Sequence, residues 1–171
     1  MSADKDRRKA PMDEERFNEL YRAYAGDVLR VSCFYLGDRQ KAEDVTQDVF
    51  VRLIRSNPDL IPGKEKAWLL TVALNRCRDL WRENWFRRVV VGSESLERKR
   101  DPHDMDEDVE KRELKEAVRR LPPAFRDVVL LHYYQGMGIT EIAGVLGVPE
   151  GTVSSRLSRA RKRLEEDLKG E

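Results

Sequence analysis

Only two cysteines and two histidines occur among the 171 residues, and their spacing suits no metal-binding cluster. Cys33 and Cys77 fall on separate predicted helices among apolar neighbours, which reads as a pair of reduced core thiols rather than a disulfide. No apolar run approaches the ~20 residues that cross a bilayer. The opening stretch MSADKDRRKAPMDEE lacks the apolar segment of a secretion signal, so a cytoplasmic location is expected. Strand-like alternation is missing as well, since Val89-Val90-Val91 is too short and isolated to found a sheet. Nor is there a Gly-rich phosphate loop or a nucleophile–base arrangement. These absences exclude a sheet fold and a membrane span. They predict a protein that catalyses no reaction, takes no cofactor or metal and has no small-molecule substrate.

A dominant charge sign is also lacking. Lys and Arg number 33 against 32 Asp and Glu, for a net charge of +1, yet charged residues make up 38% of the chain. A uniformly basic coat for nucleic acid is thereby excluded, so any such binding must come from local patches.

What the chain does contain is helical periodicity. Phe17, Leu20, Tyr21, Tyr24, Val28, Val31 and Cys33 or Phe34 recur at helical spacing from Glu14 to Leu36, where Gly37-Asp38 ends the element. A second helix is predicted over about 40–55, with Ala42, Val45, Val49 and Leu53 inward, and a third over about 65–86, with Ala67, Leu70, Leu74, Cys77 and Trp81 inward. Between them the stretch 57–63 holds two prolines and reads as a loop. Helical pattern resumes near Asp108 with Val109, Leu114, Val118 and Leu121. Pro122-Pro123 interrupts it, and Phe125, Val128, Val129, Leu131 and Tyr133 carry a further helix toward Gly136. The expected fold is all-α. A polar, disordered tail (1–12) precedes a helical domain at 13–88, and a flexible charged linker (89–107) leads to a second helical domain at 108–168.

The stretch 138–168 organises the second domain. Ile142, Ala143 and Leu146 share one helical face, and Val153, Leu157, Ala160 and Leu164 share another, with Gly147, Val148 and Pro149 between. A short helix, a tight Gly-containing turn and a second helix with a basic outer face form a helix-turn-helix. That outer face reads Thr152, Ser154, Ser155, Arg156, Ser158, Arg159, Lys162 and Arg163. Small hydroxyl side chains permit close approach to base edges, while Arg and Lys reach phosphates or guanine. The competing structural reading is a helical hairpin with a solvated basic face; the lack of any acidic residue over 151–164 argues against it.

Two further faces carry chemistry. On the third helix Trp68, Thr71 or Val72, Asn75, Asp79 and Arg82 line up, with Arg76, Arg78, Arg87 and Arg88 beside Trp85 and Phe86. Rings interleaved with guanidinium groups suit single-stranded nucleic acid, although the same Trp residues could simply fill a core. On the second helix Glu43, Asp44, Gln47 and Asp48 cluster, with Phe50 and Val51 near the same side. Phosphates repel such a face, and a basic protein surface would attract it. The linker run Asp101, His103, Asp104, Asp106, Glu107 and Asp108 superficially suggests a metal site, but a flexible segment lacks the fixed geometry that a site requires.

Three segments taken together resemble the bacterial sigma factors of the extracytoplasmic-function (ECF) class: AEDVTQDVF (42–50), AWLLTVALN (67–75) with Asp79 and Arg82, and Glu141-Ile-Ala with GTVSSRLSRAR (151–161). The resemblance covers nearly all of the chain outside the tail and linker. It implies docking of the second helix on the clamp helices of core RNA polymerase, through Glu43, Asp44, Gln47, Asp48, Phe50 and Val51. It implies melting and reading of the −10 promoter element by Asn57, Lys64, Trp68, Asn75, Arg76, Asp79 and Arg82. The outer face of the helix-turn-helix would read the −35 element, with Ser154, Ser155, Ser158 and Arg159 toward bases and Arg156, Lys162 and Arg163 toward phosphates. Promoter DNA and core polymerase are the implied partners, together with an anti-sigma factor that could hold the protein at the membrane. Ser154 and Ser158 depart from the longer side chains common in relatives, so no base preference carries over, and Pro149 replaces a common hydroxyl N-cap. The alternative is a conventional helix-turn-helix regulator that acts without polymerase.

Overall fold

The computed structural model describes residues 10–90 and 108–170. Most of the expected tail, the linker from residue 91 onward and the carboxylate run up to Glu107 lie outside them. Among the described residues the fold is all-α. The helices are α1 (Glu14–Leu36), α2 (Arg39–Ser56), α3 (Glu65–Val90), α4 (Val109–Arg120), α5 (Pro123–Val129), α6 (Ile139–Leu146) and α7 (Glu150–Leu168), with a π-helical turn, Leu130–Tyr134, continuing α5.

Local chemistry sets the boundaries. Asp13 starts α1 by accepting the Arg16 backbone N–H. Gly37 stops it in the left-handed region (φ 65°), its own N–H bonded to the Cys33 carbonyl at 2.8 Å. Asp38 then caps α2 by accepting from the Lys41 N–H at 3.2 Å. Pro122 and Pro123 separate α4 from α5, with Pro123 in the first turn where its missing N–H costs nothing.

The first three helices pack on one another through the expected α2 stripe, Ala42, Val45, Val49 and Leu53, all wholly buried. On α3 the expected Leu70, Leu74 and Cys77 are buried, and Leu69 and Ala73 join them. The buried arc is wider than one stripe because α3 has neighbours on two sides: α1 and α2 on one, α6 on the other. Ala67 and Trp81 are only half-buried. Burial pushes the Cys77 thiol up to about 12, so at neutral pH it is an inert core group; Cys33 is half-buried.

Several positions differ from expectation. Phe50, assigned to the outer face of α2, is buried against the rings of Phe17 and Tyr21 (centroids 5.9 and 4.9 Å). It lies one helical turn after Thr46 and so on the flank that α1 covers. Val109 and Leu114 are exposed, because only the C-terminal half of α4, with Ala117, Val118 and Leu121, reaches the core. Tyr133 is exposed too: the π turn takes up an extra residue and rotates the side chains near its end out of α-helical phase.

The two groups of helices, α1–α3 and α4–α7, are folded against each other. One continuous core includes residues of both. Arg119 on α4 donates to the Phe34 carbonyl (3.0 Å), supplying the cation that the last turn of α1 lacks. Arg126 on α5 donates to the Arg119 and Leu121 carbonyls at the end of α4 (2.7 and 3.0 Å). Its guanidinium also lies over the Tyr35 and Trp81 rings of α1 and α3, at 4.7 and 5.5 Å.

Candidate nucleic-acid interface

The helix-turn-helix is built as its sequence requires. Gly147 closes α6 in the left-handed region (φ 65°), and the Val148 N–H reaches the Ala143 carbonyl at 3.2 Å. Pro149 occupies the N-cap of α7 without a side-chain cap; its carbonyl accepts the Thr152 and Val153 N–H groups at 3.0 and 3.2 Å. Val153, Leu157 and Ala160 are buried and Leu164 is half-buried, which turns the opposite face outward. There Ser154, Ser155, Ser158, Arg159, Lys162 and Arg163 are exposed. The Ser155 hydroxyl donates to the Thr152 carbonyl (3.1 Å), and Arg163 lies over the Phe125 ring at 5.9 Å. Thr152 and Arg156 are half-buried, and Arg156 is one of the cations acting on the buried Asp127. Arg161, outside the predicted face, donates to the Tyr133 hydroxyl and stands over its ring. That contact needs the π turn, which the apolar spacing does not announce.

On α3 and the loop before it, Lys64, Asn75, Asp79 and Arg82 are exposed and Trp68 and Arg76 are half-buried. Asn57 ends α2 in the left-handed region (φ 35°) and donates to the Ala10 carbonyl at 2.7 Å. Asn75 accepts from Arg78 at 3.1 Å. Glu65, in the first turn of α3, accepts from its own backbone N–H and from Arg16 of α1 (3.1 Å), which together hold its carboxyl below the usual range. The Trp81 ring is engaged by Arg126 at the junction of the two helix groups.

On α2, Glu43, Asp44, Gln47 and Asp48 share an exposed face, with Glu43 paired to Arg39 (3.1 Å) and Asp48 to Arg76 of α3 (3.2 Å). Val51 continues that face, and so does Ile54, 40% exposed. Ile54 is absent from the predicted surface although its spacing from Gln47 and Val51 places it there. The acidic α2 face and the α3 face meet at the Asp48–Arg76 pair. Among the described residues no group of His, Cys, Asp or Glu could hold a metal ion.

Residues 20–87 match the family described as Sigma-70 region 2, and residues 111–164 match Sigma-70, region 4. The ECF RNA polymerase sigma factor SigL of Mycobacterium tuberculosis is 32% identical over 150 residues, covering 85% of this chain and 84% of SigL. This chain belongs to the ECF sigma factors. SigE of Mycolicibacterium smegmatis, also an ECF sigma factor, is 34% identical over 89% of this sigma factor. The chain spans only 61% of SigE, and 60% of BldN from Streptomyces coelicolor. Among solved structures, the sigma factor RpoE of Bartonella quintana, in complex with the anti-sigma factor NepR, superposes with a TM-score of 0.75 at 25% identity. That match covers 91% of this sigma factor and 98% of RpoE. CnrH, solved with the cytosolic domain of CnrY, shares the fold with a TM-score of 0.71 at 24% identity, over 93% of this chain and 91% of CnrH. No described helix of this sigma factor is long and apolar enough to cross a membrane.

Proposed function

We propose that this sigma factor binds core RNA polymerase in the cytoplasm, directs it to promoters with matched −35 and −10 elements, and helps to melt the DNA there, catalysing no reaction itself. The observation that carries this reading is the division of labour among the three exposed surfaces. The hydroxyl- and Arg-rich face of α7 suits a major groove. The α3 face, with Asn75, Asp79 and Arg82 exposed beside Trp68, suits the unstacked strand of a melted element. The acidic α2 face suits a protein, and a regulator acting without polymerase has no use for it. Within the acidic face Glu43, Asp44, Gln47, Asp48 and Val51 are the polymerase contacts; Phe50 supports them from the core. The anti-sigma factor in the RpoE structure supports control by a partner of that kind, which could also hold the protein at a membrane.

In vitro transcription from a random promoter library, with purified core polymerase and with or without this protein, tests the reading. Transcripts enriched for one two-part motif are expected only when the protein is present. DNA binding without any change in transcription would instead favour a free-standing regulator.

A further inference from the structure

Arg161 stands apart from the other cations of α7. It lies one turn beyond Ser158 and two beyond Ser154 on the same helical stripe, so it flanks the reading face. The side chain is exposed and yet held. Its Nε–H donates to the Tyr133 hydroxyl, and its guanidinium stands 5.7 Å from the centre of the Tyr133 ring. Tyr133, 53% exposed, is braced in turn. The His132 ring meets it at 4.8 Å, close to perpendicular, and the His132 Nδ1 lies 2.9 Å from the Met137 carbonyl.

The chemistry of the partner decides what Arg161 can do. A carboxylate at that place would cancel the charge, and an arriving anion would first have to break the pair. The phenol is an uncharged acceptor: it fixes the guanidinium and leaves its charge intact. Among the described residues no ion pair engages Arg161, although Glu165 stands one turn further along the stripe. With the Nε–H committed, both terminal nitrogens keep their hydrogens for another acceptor, and the Tyr133 oxygen still has its own hydrogen to donate. An anion beside the phenol oxygen can therefore accept from both residues.

The ligand this arrangement fits is a phosphate. A guanidinium fork of fixed direction matches phosphate oxygens, and a side chain already ordered loses less freedom on binding. Position along the helix favours DNA backbone over bases. The first residues of a recognition helix meet base edges, whereas Arg161 lies ~16 Å beyond Glu150, which opens α7, at ~1.5 Å per residue.

We propose that Tyr133 and Arg161 form a composite phosphate clamp, in which the phenol oxygen aims the guanidinium and both residues donate to one backbone phosphate of the −35 duplex. Tyr133 belongs to the turn after α5, outside the helix-turn-helix, so the clamp braces α7 on the DNA from a second element. The inference rests on the function proposed above.

The test measures affinity against salt for the full chain loaded on core polymerase, with a duplex carrying the motif that the promoter library enriches. Arg161→Gln should lower affinity about threefold or more and reduce the slope of log affinity against log salt by about 0.9, with the ranking of altered sites unchanged. Arg161→Lys keeps the charge and should keep the slope. Tyr133→Phe keeps the ring and removes the hydroxyl; it should weaken binding about threefold, and that effect should shrink once Arg161 is Gln. An unchanged slope in Arg161→Gln would reduce the contact to a tether between two helices and overturn the clamp. So would a Tyr133→Phe loss as large in the Arg161→Gln background as in the parent. If the library yields no motif, the proposed function fails, and the full chain without polymerase is titrated with a mixed-sequence duplex of about 30 base pairs. The same changes in slope there would uphold the clamp; no binding, or an unchanged slope, would overturn it.

Discussion

Asp48 on α2 and Arg76 on α3 meet across 3.2 Å. One belongs to the surface assigned to polymerase and the other to the surface assigned to the −10 element, so the two surfaces share an edge. Both side chains are about half exposed, at 57% and 41%, and solvent and salt screen such a pair to a few tenths of a kcal/mol. The value of Asp48 therefore lies in what it presents to a partner.

Charge reversal at Asp44 and Asp48 together should weaken binding to core polymerase by about tenfold or more. The melting temperature should scarcely change, since both positions are exposed. Binding of DNA by a chain carrying the same changes should also persist. Titration against core polymerase decides the matter, and unaltered affinity would remove the docking assignment.

Arg159→Ala should cost about 1–3 kcal/mol of discrimination between the preferred −35 sequence and its single-base variants. Arg163→Ala should weaken binding to all sequences alike and flatten the salt dependence. Competition binding over a set of altered sites at two salt concentrations separates the two outcomes. An equal loss at Arg159 for every site would make it a phosphate contact.

Gly147→Ala should destabilise the fold by roughly 1–2 kcal/mol through backbone strain alone. The left-handed φ of 65° is the whole cause, because an added Cβ would meet nothing within 4 Å. Gly147→Asn should lose less, as Asn tolerates this conformation better. Urea unfolding of both variants checks the order; equal losses would point to crowding in the turn.

Asp127 gives the protein a pH dependence of defined sign. Burial raises its carboxyl above the ordinary value, against the lowering effects of Arg78, Arg126 and Arg156. The folded chain thus binds this proton more readily than the unfolded chain. The stability it contributes is fully present below the unfolded pKa and is lost as pH rises through the folded one. Asp127→Asn, which mimics the protonated form, should therefore melt above the parent protein at neutral pH. That advantage should shrink as pH falls and vanish below the ordinary carboxylate range. Thermal melts across a pH series measure it, and a constant difference would show that Asp127 titrates normally.

The sequence alone determined what depends on neighbours three and four positions away. The helices, the Gly147 turn, the caps at Asp13 and Asp38, and the outward faces of α2 and α7 come from periodicity and from local hydrogen-bonding options, which every copy of the chain carries whatever it packs against. Tertiary structure decided which flank of each face another helix covers. Phe50 went inward because α1 lies over it, and Trp81, expected inward, is met there by the Arg126 guanidinium of α5. Tyr133 turned toward Arg161 once a π turn had shifted its phase. Above all, nothing in the local pattern pairs Arg78 with Asp127. They are 49 positions apart, and an ion pair between them exists only because α3 is set against α5 and α6. Charge marks a residue as polar in the sequence; burial, which is a property of the assembled core, made this pair the junction of the molecule.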